Sequence, residues 1–166
     1  MQVSLFMESG AVLSEDGRYR YSLTRIWDPE KPRVCFVMLN PSAADAEQDD
    51  PTIRRCIRFA ESWGYGAIEV VNLYAFRTHL PELLTVEPEP CGPDNDAYIL
   101  QAIQSAQMIV AAWGVHGHEG PLRRAVGSLI NRGVYCLGTT KNGAPRHPLY
   151  VHSSALVLPF SIEDSC

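Results

Sequence analysis

The feature that most constrains the fold is the run RVCFVML at residues 33–39, almost continuously apolar and cut off by Asn40-Pro41-Ser42. A strand with one face in water alternates polar and apolar residues. An unbroken apolar strand is covered on both faces, as the inner strands of a parallel sheet are. Asp50-Pro51 then opens a helix, with Asp50 placed to cap it, Pro51 in its first turn, and Ile53, Ile57 and Ala60 marking a buried stripe that runs up to Gly64. The segment AIEVVNL at 67–73 reads as a second central strand. Strand, helix and strand in that order imply a right-handed βαβ unit and so a parallel pair.

Four prolines, Pro81, Pro88, Pro90 and Pro93, make residues 78–93 a long surface connection with at most a turn of helix near 82–84, and a candidate lid. Asp94 or Asn95 caps the next helix, with Tyr98, Ile99, Ala102 and Ile103 inward. It leads into a strand at 108–112 and the loop Trp113-Gly114. Residues 121–131, with Leu122, Val126, Leu129 and Ile130 as an apolar face and Gly133 beyond the end, read as a third helix, followed by a last strand at 134–137. Ahead of all this, residues 11–28 alternate around Glu15-Asp16-Gly17 and form an antiparallel hairpin. The expected fold is therefore a three-layer α/β/α domain with a four-stranded parallel central sheet, a core over 33–151 and the hairpin at 11–28. At 166 residues the chain fits one domain spanning 1–166, since folded units usually run to roughly 100–200 residues.

Composition narrows the function classes. No apolar run approaches the roughly 18 residues needed to cross a bilayer. The amino terminus, MQVSLFMESGAVLSEDG, lacks the pattern of an export signal, so the expected location is the cytoplasm and no membrane partner is expected. The five cysteines are odd in number and form no CxxC pair; Cys35 and Cys136 lie in apolar runs and read as core thiols. A net charge of −5 disfavours tight binding of duplex DNA, which rests on neutralising many phosphates.

Each of the four strands runs out into polar or special residues: Asn40, Pro41 and Ser42; then Asn72 with Tyr74 and Arg77; then Trp113 and Gly114; and finally Thr139-Thr140-Lys141 leading to Arg146 and His147. Ligands of open α/β sheets bind outside the strand carboxyl ends, so these residues are the candidate site. Asn72 in VVNLY incurs a desolvation cost unless its amide is paired, and an amide suits the edge of a nucleobase. Tyr74, Phe76 and Trp113 suit either a base stack or the core. Arg54 and Arg55, near the amino end of the first helix, are candidate phosphate contacts or part of a solvated face. His116-x-His118 beside Glu119 has metal-ligand residue types, but it sits among Gly114, Gly117 and Gly120 with no third ligand evident, so neither a metal nor a cofactor is expected.

The runs CFVMLNPSAADAEQDDPTIRR, VVNLYAFR, AAWG and PRHPLYV resemble the bacterial family known as domain of unknown function 1643, over residues 19–151. More distantly, the order of motifs is similar to the uracil-DNA glycosylase superfamily. That resemblance implies a glycosylase-like fold. It places Asn40 where those enzymes position the attacking water, Asn72 where an Asn reads the base, and His147 where a His hydrogen-bonds the departing base. The chain departs from the pattern at Met38-Leu39, where a Gly is usual, and at Leu149-Tyr150, where small residues follow His-Pro. The expectation is a protein that binds a nucleobase, nucleotide or single-stranded nucleic acid in a glycosylase-like pocket, with Asn40 and His147 as catalytic residues for hydrolysis of an N-glycosidic bond of a modified or deaminated base. The alternatives are a non-catalytic module on the same fold that binds a nucleotide or a protein partner, and a hydrolase of another small substrate.

Overall fold

The computed structural model describes residues 8–117 and 132–161. In chain order it contains β1 (Glu8–Leu13), β2 (Arg20–Ile26), β3 (Arg33–Met38), α1 (Pro51–Ser62), β4 (Ala67–Asn72), a 3-10 turn (Pro81–Thr85), α2 (Asn95–Ser105), β5 (Met108–Ala111), β6 (Val134–Cys136) and β7 (Leu158–Pro159), with two further 3-10 turns at Gly114–His116 and Pro148–Tyr150. The strands form one sheet in the order β1-β2-β4-β3-β5-β6-β7. The strands β4, β3, β5 and β6 pair in parallel, while β1 with β2, β2 with β4, and β6 with β7 are antiparallel.

This corrects the expected architecture. The sheet is seven-stranded and mixed, with two α-helices among the described residues. It is not a three-layer α/β/α domain on a four-stranded parallel sheet, nor the uracil-DNA-glycosylase-like fold drawn from motif order. The physical reason lies at the edges. A bare sheet edge is a row of unpaired N–H and C=O groups. The amino-terminal hairpin covers the β4 edge through Leu23↔Val70 and its neighbours, and β7 covers the edge of β6. The hairpin thus continues the sheet and is no appendage to it. The helix expected at 121–131 lies outside the described residues.

Local chemistry accounts for the helices. Asp50 caps α1, its Oδ1 accepting the Ile53 N–H at 2.9 Å, and Pro51 occupies the first turn, where a missing N–H costs nothing. One face of α1 packs Ile53, Cys56, Ile57 and Phe59 against Val34, Phe36, Ile68 and Val70. On the opposite face of the sheet, α2 packs Ile99, Ala102 and Ile103 against Cys35, Val37, Val71 and Leu73. No helix among the described residues is long and apolar enough to cross a membrane.

The order of strands also locates a crevice. From β3 the chain moves outward through α1 to β4; from β4 it crosses back through α2 to β5, on the other side of β3. The loops leaving β3 and β5 therefore diverge, and the gap between them is where open α/β sheets bind ligands.

Candidate functional site

Two adjoining cavities open at this rim. A polar one of about 260 Å³ lies over the ends of β3 and β4 at the amino end of α1, with Arg20, Asn40, Asp50, Asn72 and His147 in its walls. An apolar one of about 270 Å³ lies over the ends of β3 and β5 and is lined by Leu39, Pro81, Trp113, Val115 and Tyr150 among others. Asn40, His147 and Tyr150 belong to both walls. Asn40, Asn72 and His147, distant in sequence, thus face one cavity.

Asn40 is held by its amide nitrogen, which donates to the Thr78 carbonyl at 2.8 Å and the Pro41 carbonyl at 3.1 Å. Thr78 in turn donates its N–H to the Pro41 carbonyl at 3.0 Å. The loop after β3 and the start of the proline-rich connection are therefore one unit, and the polar atom Asn40 has to offer is its acceptor, Oδ1. Ser42 donates to Asp50 Oδ2 at 3.2 Å, so both oxygens of Asp50 already accept hydrogen bonds.

His147 stands at the head of the turn Pro148–Tyr150, and its Nδ1 accepts the Leu149 N–H at 3.1 Å. That bond leaves Nε2 to carry the proton of the neutral ring, making Nε2–H the donor. Burial lowers the pKa of the imidazole, with Asp50 opposing the shift, so the ring is neutral at pH 7. The depressed value sets a sign. The folded state binds fewer protons than the unfolded state once the pH falls below the ordinary histidine value of about 6.5. The contribution of His147 to stability is complete above that pH and is lost as the pH drops through the folded-state value. Urea melts at stepped pH should show His147→Gln losing stability less steeply than wild type in that window; parallel curves would contradict it.

The loop that carries His147 is tied down from two sides. Gly114 donates its N–H to the Pro145 carbonyl at 2.9 Å with φ at +71°, a conformation that side chains resist, and this explains the glycine after Trp113. From α1, Arg55 donates Nε to the Pro148 carbonyl at 3.1 Å and Nη2 to the Val151 carbonyl, with its guanidinium over the Phe59 ring. Arg55, read from sequence as a candidate phosphate contact, is spent on backbone carbonyls. Arg54 is exposed on α1, beside the Asp49 carbonyl at 3.5 Å.

The other candidates divide. Pro41 and Ser42 line the polar cavity; Trp113, Gly114 and Arg146 line the apolar one, with Arg146 Nε donating to the Thr139 carbonyl at 3.1 Å. Trp113 is otherwise buried and meets Phe160 edge to face. Tyr74 lies in the core with Val71 and Leu73, away from both cavities. Arg77 points toward the Gly17 carbonyl and also lies outside both linings. His116 lines the apolar cavity, while His118 and Glu119 lie outside the described residues. Among the described residues no three His, Cys, Asp or Glu side chains stand together as a metal site. The thiols of Cys35 and Cys56 are buried and pushed well up by that burial, which keeps them protonated.

Arg20 is the residue that sequence reasoning missed. Its signal is three-dimensional. The β1–β2 register steps from Val12↔Ser22 to Leu13↔Arg20, so Tyr21 is an extra residue in β2. Strict alternation would put Arg20 on the face of Ser22 and Thr24, which look toward α2; the bulge turns it to the opposite side and into the polar cavity. Only 2% exposed, Arg20 donates Nη1 to the Ala44 carbonyl at 2.9 Å. Burial pushes its pKa down to about 10, with Asp50 opposing, and it remains a cation at neutral pH. Asn95, missed as well except as a cap, donates Nδ2 to the carbonyls of Asn72 at 2.8 Å and Leu73 at 3.2 Å and so holds the end of β4 from the α2 side.

No match is found among curated proteins or among solved structures. The model of one family, described as "Protein of unknown function (DUF1643)", matches residues 20–149, a span that opens on Arg20 and takes in Asn40, Asn72 and His147, and the chain belongs to that family.

Proposed function

We propose that the chain binds a nucleoside or nucleotide across the two cavities and hydrolyses its N-glycosidic bond, releasing the nucleobase. The observation that carries the reading is the wall the cavities share. There Asn40 presents an acceptor, Oδ1, and His147 a neutral donor, Nε2–H. Cleavage adds the oxygen of water to the anomeric carbon and breaks the C–N bond, whose electron pair leaves with the base, and the proton that the water sheds ends on the departed base. The acceptor orients the water, and the donor meets the charge growing on the base. A second reading, binding without cleavage, draws on Asp50. It is the sole carboxylate among the described residues that line these cavities, and both its oxygens are already engaged, so no strong general base stands ready.

The test is a thermal-shift screen of nucleobases, nucleosides, nucleotides and short single-stranded oligonucleotides, followed by chromatography for released base. Stabilisation by one of these classes is expected. Stabilisation by sugars or amino acids alone would turn the assignment to a hydrolase of another small substrate. Where base is released, Asn40→Ala should lower the single-turnover rate and leave affinity within about threefold, since placing the water matters mainly as the transition state forms. Stabilisation with no release from any substrate identifies the binder.

A further inference from the structure

We propose that the polar cavity is an oxyanion subsite, built by Arg20, Asn72 and the amino end of α1, which takes the phosphate of the ligand. Resting on the proposed function, the substrate is then a nucleoside 5′-monophosphate, with its base in the apolar cavity. Two observations converge. Asn72 and Arg20 are 1% and 2% exposed, both line this cavity, and Asn72 Nδ2 and Arg20 Nε are buried with no hydrogen-bond partner. A donor buried without a partner carries its whole desolvation penalty, so two of them on residues that line one cavity mark the place of an acceptor.

The chemistry of that acceptor is set by the surroundings. Both unpartnered groups are donors, and one belongs to a cation whose planar fork matches an oxyanion. A base edge, by contrast, presents donors and acceptors together. Thr52 and Ile53 bring the first turn of the twelve-residue α1 to the same cavity, and although Asp50 already holds the Ile53 N–H, the field of a helix amino end favours negative charge. The charged groups that act on Arg20 are Asp50, Arg77 and Arg25. Arg25 is neutralised by Asp49, and the Asp50 oxygens are turned to Ile53 and Ser42. Arg20 and Arg77 therefore outweigh Asp50. With phosphate there and the base against Trp113 and Tyr150, the glycosidic bond falls at the wall that Asn40 and His147 share. Asn72 then holds phosphate and does not read the base.

The test uses the intact chain with four probes: nucleoside 5′-monophosphates, the matching nucleosides, ribose 5-phosphate and inorganic phosphate, each followed by calorimetry and, for phosphate, by ³¹P line broadening. The monophosphates are expected to bind at least about tenfold more tightly than the nucleosides, with inorganic phosphate competing. Asn72→Leu replaces an unpartnered donor by an apolar group of similar shape. It should keep or raise the melting temperature of the free protein while bringing nucleotide and nucleoside within about twofold of each other. Asn72→Ser and Arg20→Lys provide the same comparison should the first variant fail to fold. Nucleoside binding to which phosphate adds nothing overturns the subsite and leaves the nucleobase reading standing. Binding of phosphate and ribose 5-phosphate that depends on Asn72, with no gain from a base, supports the subsite and removes the nucleobase reading. Phosphate binding that is unchanged in Asn72→Leu and Arg20→Lys, or no binding of any probe, overturns the subsite.

Discussion

Under the proposed N-glycosidic cleavage, replacing His147 by alanine is expected to lower the single-turnover rate by about 10²- to 10³-fold, roughly 2.7–4 kcal/mol of lost transition-state stabilisation, the size of effect seen when one oxyanion donor is removed. The loss has two separable sources, because the ring does two things. Nδ1 accepts the Leu149 N–H and shapes the turn, which leaves Nε2–H as the donor that a ring lining both cavities can offer. In His147→Asn the amide oxygen can take the place of Nδ1 and keep the turn, but nothing replaces Nε2–H. In His147→Gln the amide nitrogen reaches the position of Nε2 and restores a donor. If donation to the leaving base is what matters, the Gln variant should retain more rate than the Asn variant, with ground-state affinity nearly equal in both. Equal, near-wild-type rates in all three variants would remove His147 from the chemistry.

Arg25→Met is expected to destabilise the fold by about 3 kcal/mol, a large share of the roughly 5–15 kcal/mol that holds a domain of this size together. Arg25 is 2% exposed, and its guanidinium organises the whole loop before α1: Nε meets Asp49 Oδ1 at 2.8 Å, Nη1 the Thr24 carbonyl at 2.9 Å, and Nη2 the carbonyls of Gln48 at 3.1 Å and Asp45. Removing it strands a partly buried carboxylate and several carbonyls. The expected loss sits at the low end of the range for broken buried pairs because the Asp49 side chain is 28% exposed and can recover some hydration. Urea unfolding should show the loss, and Arg25→Met/Asp49→Leu should recover part of it, since the second change removes the stranded charge. A double variant no more stable than the single one would mean that the carbonyl contacts, not the ion pair, carry the effect. Asp50 and Ser42 belong to the same loop, so ligand affinity should fall with stability in the single variant.

What the sequence determined by itself was whatever short-range chemistry specifies. The apolar run before Asn40 could only be a covered strand; Asp50-Pro51 could only begin a helix well; and the motifs spread from Arg20 to Leu149 are enough to place the chain in its family. The rim at the strand ends was legible for the same reason, since strands stop where apolar residues give way to Asn, Pro and Gly. Tertiary structure decided the rest. The hairpin and β7 extend the sheet because unpaired edges seek partners, and which edge a strand joins depends on contacts across the chain. Arg55 reaches carbonyls 93 and 96 residues away and is thereby taken from the candidate phosphate contacts, while a single extra residue in β2 turns Arg20 into the cavity in its place. Tyr74 went to the core and Asn72 to the cavity although they are two residues apart, because the strand ends at Asn72 and its alternation no longer governs the residues beyond it. Side-chain types announce what a residue can do, but competition among distant partners decides which of those things it does, and no local pattern records that competition.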